Sequence, residues 1–437
     1  TTILIINFKH AIAGIMITAS HNPKEYNGYK IYDEYGCQLL PDEANKVIDE
    51  IAKIKDIFSV EESDNMNNIE IMGQKMDKEY VDNIKTICLN PNLPKNFKVT
   101  YTPLHGTGQV FFPNVLKDLG YDINPVMCQM TKDPDFSGVK TSNPENKEAY
   151  DESITYAKEI GAKLCLATDP DADRLGVAVL HNGEYILLTG NQSATVIFNY
   201  IVNEHLKRHE DLSNDYLFTT VVSGRLCTLI AKRHGIKVET TLTGFKYIGD
   251  KARQIEGKGH YLFGYEESYG CLIKDSVRDK DSLQACIMLC EAAAYYYTQG
   301  KDLYDVLLDI YKEYGYTIED ISNIGLKGIE GKKKINQIMD YFRNNEISLN
   351  NYEILVKEDM KLGTIYNLKT KETQKNPLPE SNVIKYHLNN DCWFVLRPSG
   401  TEPKLKVYYG ITGSSEEDAR AKLSSLKEQV LTIINQI

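Results

Sequence analysis

Asp169, Asp171 and Asp173 alternate along Thr168-Asp169-Pro170-Asp171-Ala172-Asp173-Arg174, directly after an apolar run over residues 163–167. Pro170 discourages a helix, so the run predicts a buried strand that ends in three gathered carboxylates. Left alone they would repel one another. A hard divalent cation resolves that repulsion, and an all-oxygen ligand set favours Mg2+ over zinc. A calcium-binding EF-hand loop would need Gly where Arg174 stands and Glu where Leu180 stands. The Asp-x-Asp-x-Thr pattern of haloacid-dehalogenase phosphatases fails for want of the Thr.

Three other stretches bear on the same chemistry. Thr18-Ala19-Ser20-His21-Asn22-Pro23 follows an apolar run over 12–17 and precedes a second extended piece over 29–32, with Asn27-Gly28 as the turn. A serine on such a stiff strand-turn-strand support is a place for a reactive hydroxyl. A serine-hydrolase reading is disfavoured, because adjacent Ser20 and His21 are not expected to pair as nucleophile and base and no Gly-x-Ser-x-Gly occurs. A serine that carries phosphate beside a cation fits better, since the cation neutralises the charge being moved. Arg397-Pro398-Ser399-Gly400-Thr401-Glu402-Pro403-Lys404 offers a guanidinium, two hydroxyls, an unhindered Gly amide and a lysine, which together make a phosphate clamp or else a plain polar turn. It is not the nucleotide P-loop, whose Gly-x-x-x-x-Gly-Lys-Ser/Thr is absent. Glu266 and Ser268, bracketed by Gly264 and Gly270, suit the paired hydroxyls of a sugar ring, a pattern that surface loops also show. Lys246 and Lys30 are single cations of a kind that is usually just solvated.

The elements that must position these loops read as repeated α/β units. Strands are expected over 98–102, 163–167, 217–222, 261–263, 392–396 and 406–409, and a strand-like run over 3–6. Helices are expected over 44–54 with Pro41-Asp42 as the start signal, through 115–119, and over 150–160, 193–206 and 282–297, with a terminal helix capped by Ser414 or Ser415. The basic stretch 328–334 reads as a solvated turn. At roughly 100–200 residues per domain, 437 residues suggest three or four domains. A hydrophobic content of 42% and a charged content of 25% are those of an ordinary globular protein. The net charge of -11 and the lack of Lys/Arg runs argue against nucleic acid as a partner. No stretch reaches the ~18 apolar residues of a membrane span. Nine cysteines without a Cys-x-x-Cys point to a reduced, cytoplasmic protein.

Taken together and in this order, the four loops resemble those of the α-D-phosphohexomutases, the phosphoglucomutase and phosphomannomutase family. Residues 18–23 look like its phosphoserine loop, 169–174 its Mg2+ loop, 264–270 its sugar-recognition loop and 397–404 its distal phosphate loop. The resemblance implies three related mixed α/β sandwich domains and a smaller α+β C-terminal domain around a central cleft. The boundaries expected are 1–75 (the C-terminal part of the first domain), 76–190, 191–320 and 321–437. It further implies that Ser20, when phosphorylated, exchanges its phosphoryl group with a sugar monophosphate through a bisphosphorylated intermediate. One Mg2+ would be held by Asp169, Asp171 and Asp173 and by an oxygen of the phosphoserine. Lys30 would assist proton transfer, His21 and Lys246 would lie near the reacting phosphate, and Arg174 would bind substrate. Glu266 and Ser268 would hold ring hydroxyls while Arg397, Ser399, Gly400, Thr401 and Lys404 grip the phosphate that is not reacting.

The Glu266-Glu267-Ser268 form of the sugar loop is similar to that of glucose-selective members. Dual glucose/mannose members tend to carry Glu-Met-Ser-Gly-His, and glucosamine mutases Glu-Gln-Ser-Gly-His. The resemblance therefore favours glucose 1-phosphate and glucose 6-phosphate, with glucose 1,6-bisphosphate as intermediate and activator; mannose and pentose phosphates are the alternatives. The loops over 102–108 and 27–30 look like the branch that includes bacterial phosphoglucomutases and phosphopentomutase-type members. In the family the phosphoserine normally lies on the order of a hundred residues or more into the chain. At position 20, it suggests that much of the first domain is missing, which leaves an inactive sugar-phosphate-binding fragment as a further reading. A monomer or homodimer is expected.

Overall fold

Alternation of apolar and polar residues commits the C-terminal third of the chain to sheet, and continuous apolar runs elsewhere commit strands to burial on both faces. The computed structural model describes residues 6, 9–326, 328–399 and 404–437, with the side chain of Ile329 left aside. The expected strand over 3–6 lies, apart from Ile6, outside the described residues. In chain order the elements are β1 (Gly14–Ile17), β2 (Tyr29–Tyr32), α1 (Pro41–Ile51), α2 (Gln74–Lys85), β3 (Lys98–Thr102), α3 (Phe112–Asp118), β4 (Asp122–Pro125), α4 (Asp151–Ile160), β5 (Leu164–Thr168), β6 (Leu175–His181), β7 (Glu184–Leu188) and α5 (Gly190–Lys207). There follow β8 (Asp215–Thr220), α6 (Leu226–Arg233), β9 (Lys237–Thr241), α7 (Phe245–Gln254), β10 (His260–Tyr265), β11 (Cys271–Leu272), α8 (Ser282–Tyr297), α9 (Leu303–Tyr314), β12 (Tyr316–Gly325) and α10 (Gly328–Asn344). The last are β13 (Ile354–Asp359), β14 (Thr364–Asn367), β15 (Thr373–Lys375), β16 (Ile384–Leu388), β17 (Trp393–Pro398), β18 (Lys404–Gly413) and α11 (Glu416–Gln436). Among the described residues no helix is long and apolar enough to cross a membrane.

Two units divide the chain: one of Thr1–Thr219, Ala231–Glu239 and Gly244–Val306, the other of Thr220–Ile230, Thr240–Thr243 and Leu307–Ile437. In the first, β1 and β2 form a two-stranded antiparallel pair, Gly14 opposite Tyr32 and Ile17 opposite Tyr29. A five-stranded sheet runs β4-β3-β5-β6-β7, parallel from β4 to β5 and antiparallel beyond. A four-stranded sheet runs β11-β10-β8-β9. All five residues of β5 are buried, so this strand delivers the aspartate loop from a rigid support. Helix α5 begins at Gly190, earlier than the apolar periodicity indicates, because Thr189 and Gln192 close a capping box ahead of it. Helix α8 occupies the span its periodicity predicts, with the Asp281 side chain accepting from Leu283 N and Gln284 N at its start.

The second unit is built on a seven-stranded antiparallel sheet, order β12-β18-β17-β16-β13-β14-β15. One face meets α10 and α11: Ile335, Ile338, Met339 and Phe342 on one helix and Ala419, Leu426, Val430 and Ile434 on the other pack on Ile384, Tyr386, Phe394, Leu396, Val407 and Tyr409. Residues 328–334, expected as a solvated turn, are instead the opening of α10. The lysines there face water while the apolar stripe that holds the helix starts just beyond them at Ile335, so the buried face decides.

Candidate active site

Ser20 sits in the β1–β2 connection with its backbone in the left-handed region, φ 53°, rare for a residue with a Cβ and a form of strain that clusters at functional sites. The conformation is held locally. Thr18 Oγ1 accepts from Ser20 N at 2.9 Å and donates to Asp171 Oδ2 at 3.0 Å, and Thr18 N donates to Gly28 O at 3.1 Å. A Cβ on Gly28 would stand 2.0 Å from Thr18 O, so only glycine lets the two sides of the connection close. The Ser20 hydroxyl thereby donates to Asp169 Oδ2 at 2.7 Å. The left-handed turn also brings His21 Nδ1 to 3.1 Å from Ser20 Oγ. Adjacency therefore does not keep the two apart, contrary to the expectation from sequence; a positive φ at the serine folds the next ring back over its hydroxyl.

The three aspartates converge as the alternation predicts, with one oxygen of each within 4.8 Å of the others. Asp169 Oδ1 accepts from Asp173 N and Arg174 N, each at 3.0 Å, which curls the loop around its first carboxylate. Burial first, then the charges of Asp173 and Asp171, push Asp169 well above the usual carboxylate range. Burial also acts to raise Asp173, but Lys280, Lys30 and Arg174 together hold it below that range. Lys280 Nζ lies 2.9 Å and Lys30 Nζ 3.5 Å from Asp173 Oδ2, and Lys30 is also 3.9 Å from Asp171 Oδ2. Asp171 Oδ1 and Asp173 Oδ1 are buried with no hydrogen-bond partner. Two such oxygens, in an all-carboxylate set that repels itself, fit a hard divalent cation.

Lys280 is the residue that sequence reasoning missed. Its signal was the string Arg278-Asp279-Lys280-Asp281 after an apolar strand. Burial works against its charge, yet Asp173, Asp279 and Glu266 raise its pKa well above the ordinary lysine value. The string is tethered on both sides: Tyr32 OH donates to Asp279 Oδ2 at 3.0 Å, and Tyr80 OH to Asp281 at 3.1 Å. Ser282 Oγ donates to Ala172 O at 2.5 Å, which ties the start of α8 to the aspartate loop.

Glu266 is buried and accepts from Gly244 N at 2.7 Å. Burial raises its pKa, opposed by Lys280, that amide and Arg174. Lys246 stands in the first turn of α7, two residues past that amide, its Nζ 5.4 Å from the Tyr247 ring. Ser268 is half-buried in the same loop, which joins the aspartate loop where Leu175 N donates to Tyr269 O at 3.0 Å. Arg174 pairs with Glu145 and lies 3.9 Å from both Asp169 and Asp173. The loops that carry Ser20, the three aspartates and Glu266 thus meet within the first unit. In the second unit Arg397 is the next-to-last residue of β17, its Nη1 3.4 Å from Tyr408 OH, and Ser399 N donates to Lys404 O at 2.8 Å. Gly400 and Thr401 lie outside the described residues. A second acidic group, Asp302 and Asp305 near His181, is a helix cap: Asp302 Oδ1 accepts from Tyr304 N and Asp305 N, and Asp302 N donates back to Asp305.

Four stretches match the domain families described as phosphoglucomutase/phosphomannomutase alpha/beta/alpha domain I (residues 2–57), domain II (78–183) and domain III (189–314) and the C-terminal domain (357–424). The chain is 35% identical over 415 residues to a phosphoglucomutase of Staphylococcus epidermidis, covering 93% of this chain and 75% of that protein. Its fold is similar to that of a putative phosphomannomutase from Thermus thermophilus (TM-score 0.68, 20% identity, 98% of this chain and 80% of the other). It is also similar to that of an Aspergillus fumigatus N-acetylphosphoglucosamine mutase crystallised with GlcNAc-6P and magnesium (TM-score 0.57, 14% identity, 99% and 90%). The chain belongs to the phosphoglucomutase/phosphomannomutase family and is a phosphohexomutase, an intramolecular phosphotransferase of the isomerase class.

Proposed function

We propose that this protein interconverts glucose 1-phosphate and glucose 6-phosphate through a phosphoserine at Ser20 and a bisphosphorylated sugar. The observation that carries the reading is the Ser20 hydroxyl, 2.7 Å from the first of three clustered carboxylates. Asp169, Asp171 and Asp173 would hold one Mg2+, which when bound neutralises charge on the phosphoryl group. Ser20 Oγ gives its phosphoryl group to the free sugar hydroxyl and recovers one from the other end of the bisphosphate, so phosphate is conserved over the cycle. The hydroxyl that is phosphorylated must lose a proton, for which Lys30 and His21 stand near enough to the site to serve. Glu266 and Ser268 hold ring hydroxyls, Arg174 and Lys246 bind substrate, and Arg397, Ser399, Gly400, Thr401 and Lys404 take the phosphate that is not reacting. The chemistry is distributed over domains at about 1–75, 76–190, 191–320 and 321–437. Nine cysteines, none in a disulfide among the described residues, support a reducing, cytoplasmic setting, and a monomer or homodimer acting on a small sugar phosphate is sufficient.

The Glu-Glu-Ser loop and the relative from Staphylococcus epidermidis favour glucose. The test incubates the protein with glucose 1-phosphate, Mg2+ and a trace of glucose 1,6-bisphosphate and follows glucose 6-phosphate. Ser20→Ala should lower turnover by roughly 10^4-fold or more, as loss of a covalent nucleophile does. Native activity in that variant would refute the phosphoserine, stoichiometric release of inorganic phosphate would mark a phosphatase, and binding without turnover would leave a silent sugar-phosphate binder. A panel of glucose, mannose, glucosamine and ribose 1-phosphates decides the sugar.

A further inference from the structure

Two buried groups of opposite charge face each other at the aspartate loop without a hydrogen bond. Arg174 Nε has no partner, and Asp173 Oδ1, 3.9 Å away, has none either. Donor and acceptor would ordinarily close that gap, because a hydrogen bond left unmade in a buried place is unfavourable. The guanidinium is held back by its other end, where Arg174 Nη1 donates to Glu145 Oε1. Burial works against the Arg174 charge, yet Glu145 first, then Asp173, Asp169 and Glu266, raise its pKa above the ordinary arginine value. Glu145 in turn stands on a turn that is fixed from several sides. Asn143 Oδ1 accepts from Glu145 N at 3.0 Å, and Tyr150 OH donates to Pro144 O at 3.1 Å. A Cβ on Gly176 in β6 would stand 2.8 Å from Pro144 O, so glycine lets the turn lie this close to the strand. Ser142 Oγ donates to His21 O at 3.2 Å, which ties the same turn to the Ser20 connection.

We infer that Glu145 is a positioning residue that holds the Arg174 guanidinium off Asp173 and so keeps an oxygen of the carboxylate cluster open for a divalent cation. This rests on the cluster being a Mg2+ site, one part of the proposed mutase function. Asp173 Oδ2 is already engaged by Lys280 at 2.9 Å, with Lys30 at 3.5 Å, so Oδ1 is the oxygen of that carboxylate left for a metal. Asp169 is engaged at both oxygens, Oδ1 by the amides of Asp173 and Arg174 and Oδ2 by the Ser20 hydroxyl. The openness of the cluster therefore turns on where the guanidinium rests. Without Glu145 its Nη1 end loses the anchor, and a shift of about 1 Å brings Nε to an ordinary N–H···O distance from Asp173 Oδ1. Arginine then fills the gap with a charge that no accessible pH removes, and a cation must displace it.

The test titrates Mg2+ into the full 437-residue chain by calorimetry in the absence of sugar. Glu145→Ala should weaken Mg2+ binding about 10–100-fold, the range typical of residues that orient a metal site from behind its ligands. Glu145→Gln keeps an acceptor oxygen for Nη1 and should bind Mg2+ more tightly than Glu145→Ala; it also reads the same loss should Glu145→Ala fail to fold. In an Arg174→Met background Glu145→Ala should change Mg2+ affinity by no more than about threefold, since the group that Glu145 restrains is gone. That rescue separates a residue acting through Arg174 from one that merely supports the fold. Mg2+ affinity of Glu145→Ala within about twofold of the parent, an equal loss in the Arg174→Met background, or no Mg2+ bound by the parent would overturn the inference. The expected Mg2+ results in a protein that forms no glucose 6-phosphate would uphold it and refute only the proposed reaction.

Discussion

Gly106→Ala tests whether the cation site depends on backbone packed beneath it. A Cβ on Gly106 would stand 2.3 Å from Pro170 Cα, 2.6 Å from Pro170 O and 2.8 Å from Pro103 O. All three are main-chain atoms, so no side chain can swing aside. Ordinary carbon contacts are about 3.5–4.0 Å, so Pro170 must retreat by about 1 Å or more. It stands between Asp169 and Asp171, and Thr107 N now holds its carbonyl at 2.8 Å. Overpacking of this kind costs about 1–3 kcal/mol of stability. A displacement of about 1 Å at a reacting centre costs roughly 100-fold in turnover. The assay is the Mg2+-induced rise in unfolding free energy, about 2.7 kcal/mol at a hundredfold excess over Kd, followed by turnover of glucose 1-phosphate. Gly161→Ala is the control, since Gly161 ends α4 at φ 71° with no atom within 4 Å of the added carbon. It should lose about 1 kcal/mol of stability and nothing at the site. If Gly106→Ala keeps both the Mg2+ effect and turnover within twofold of the parent, the claim that this contact positions the carboxylates is refuted.

Asp171→Asn removes one of three mutually repelling charges while leaving an oxygen for Thr18, so the metal-free protein should unfold at higher denaturant and the stabilisation by Mg2+ should largely vanish. Lys385, whose Nζ donates to Val221 O at 2.7 Å and lies 4.9 Å from the Trp393 ring, is pushed down by burial to about 8. Above that pH the native state has released a proton that the unfolded chain keeps until about 10.5, so stability rises with pH across that window, by at most about 3 kcal/mol. Lys385→Met should flatten this rise, which is read from the difference between urea midpoints at pH 7.5 and 9.5 in variant and parent. Arg343 and Asp359 form a buried ion pair at 2.8 Å, their side chains 5% and 2% exposed, so Arg343→Met should cost about 3–5 kcal/mol by stranding the carboxylate, and Arg343→Met with Asp359→Leu should regain most of it.

The aspartate loop was legible in the sequence because its chemistry is local: alternation and Pro170 after a buried run gather three carboxylates wherever the strand ends. Helix α8 was legible for the same reason, with a capping aspartate and sixteen residues of apolar pattern in one place. Lys280 was not, because its partner Asp173 is more than a hundred residues away and nothing in a run of mixed charges says which one is buried. The start of α10 was misread because its lysines are solvated whether or not the backbone is helical, and the decision is made by Ile335 and Phe342 against the sheet.

Residue types and order alone therefore determined the candidate chemistry, a serine and three gathered carboxylates, since donor atoms and their local spacing belong to the chain itself. The tertiary structure decided the rest. It set the left-handed turn that lays His21 on the Ser20 hydroxyl and the lysine that balances Asp173. Those depend on which distant segments exclude water from one another, and that is a property of the packed whole.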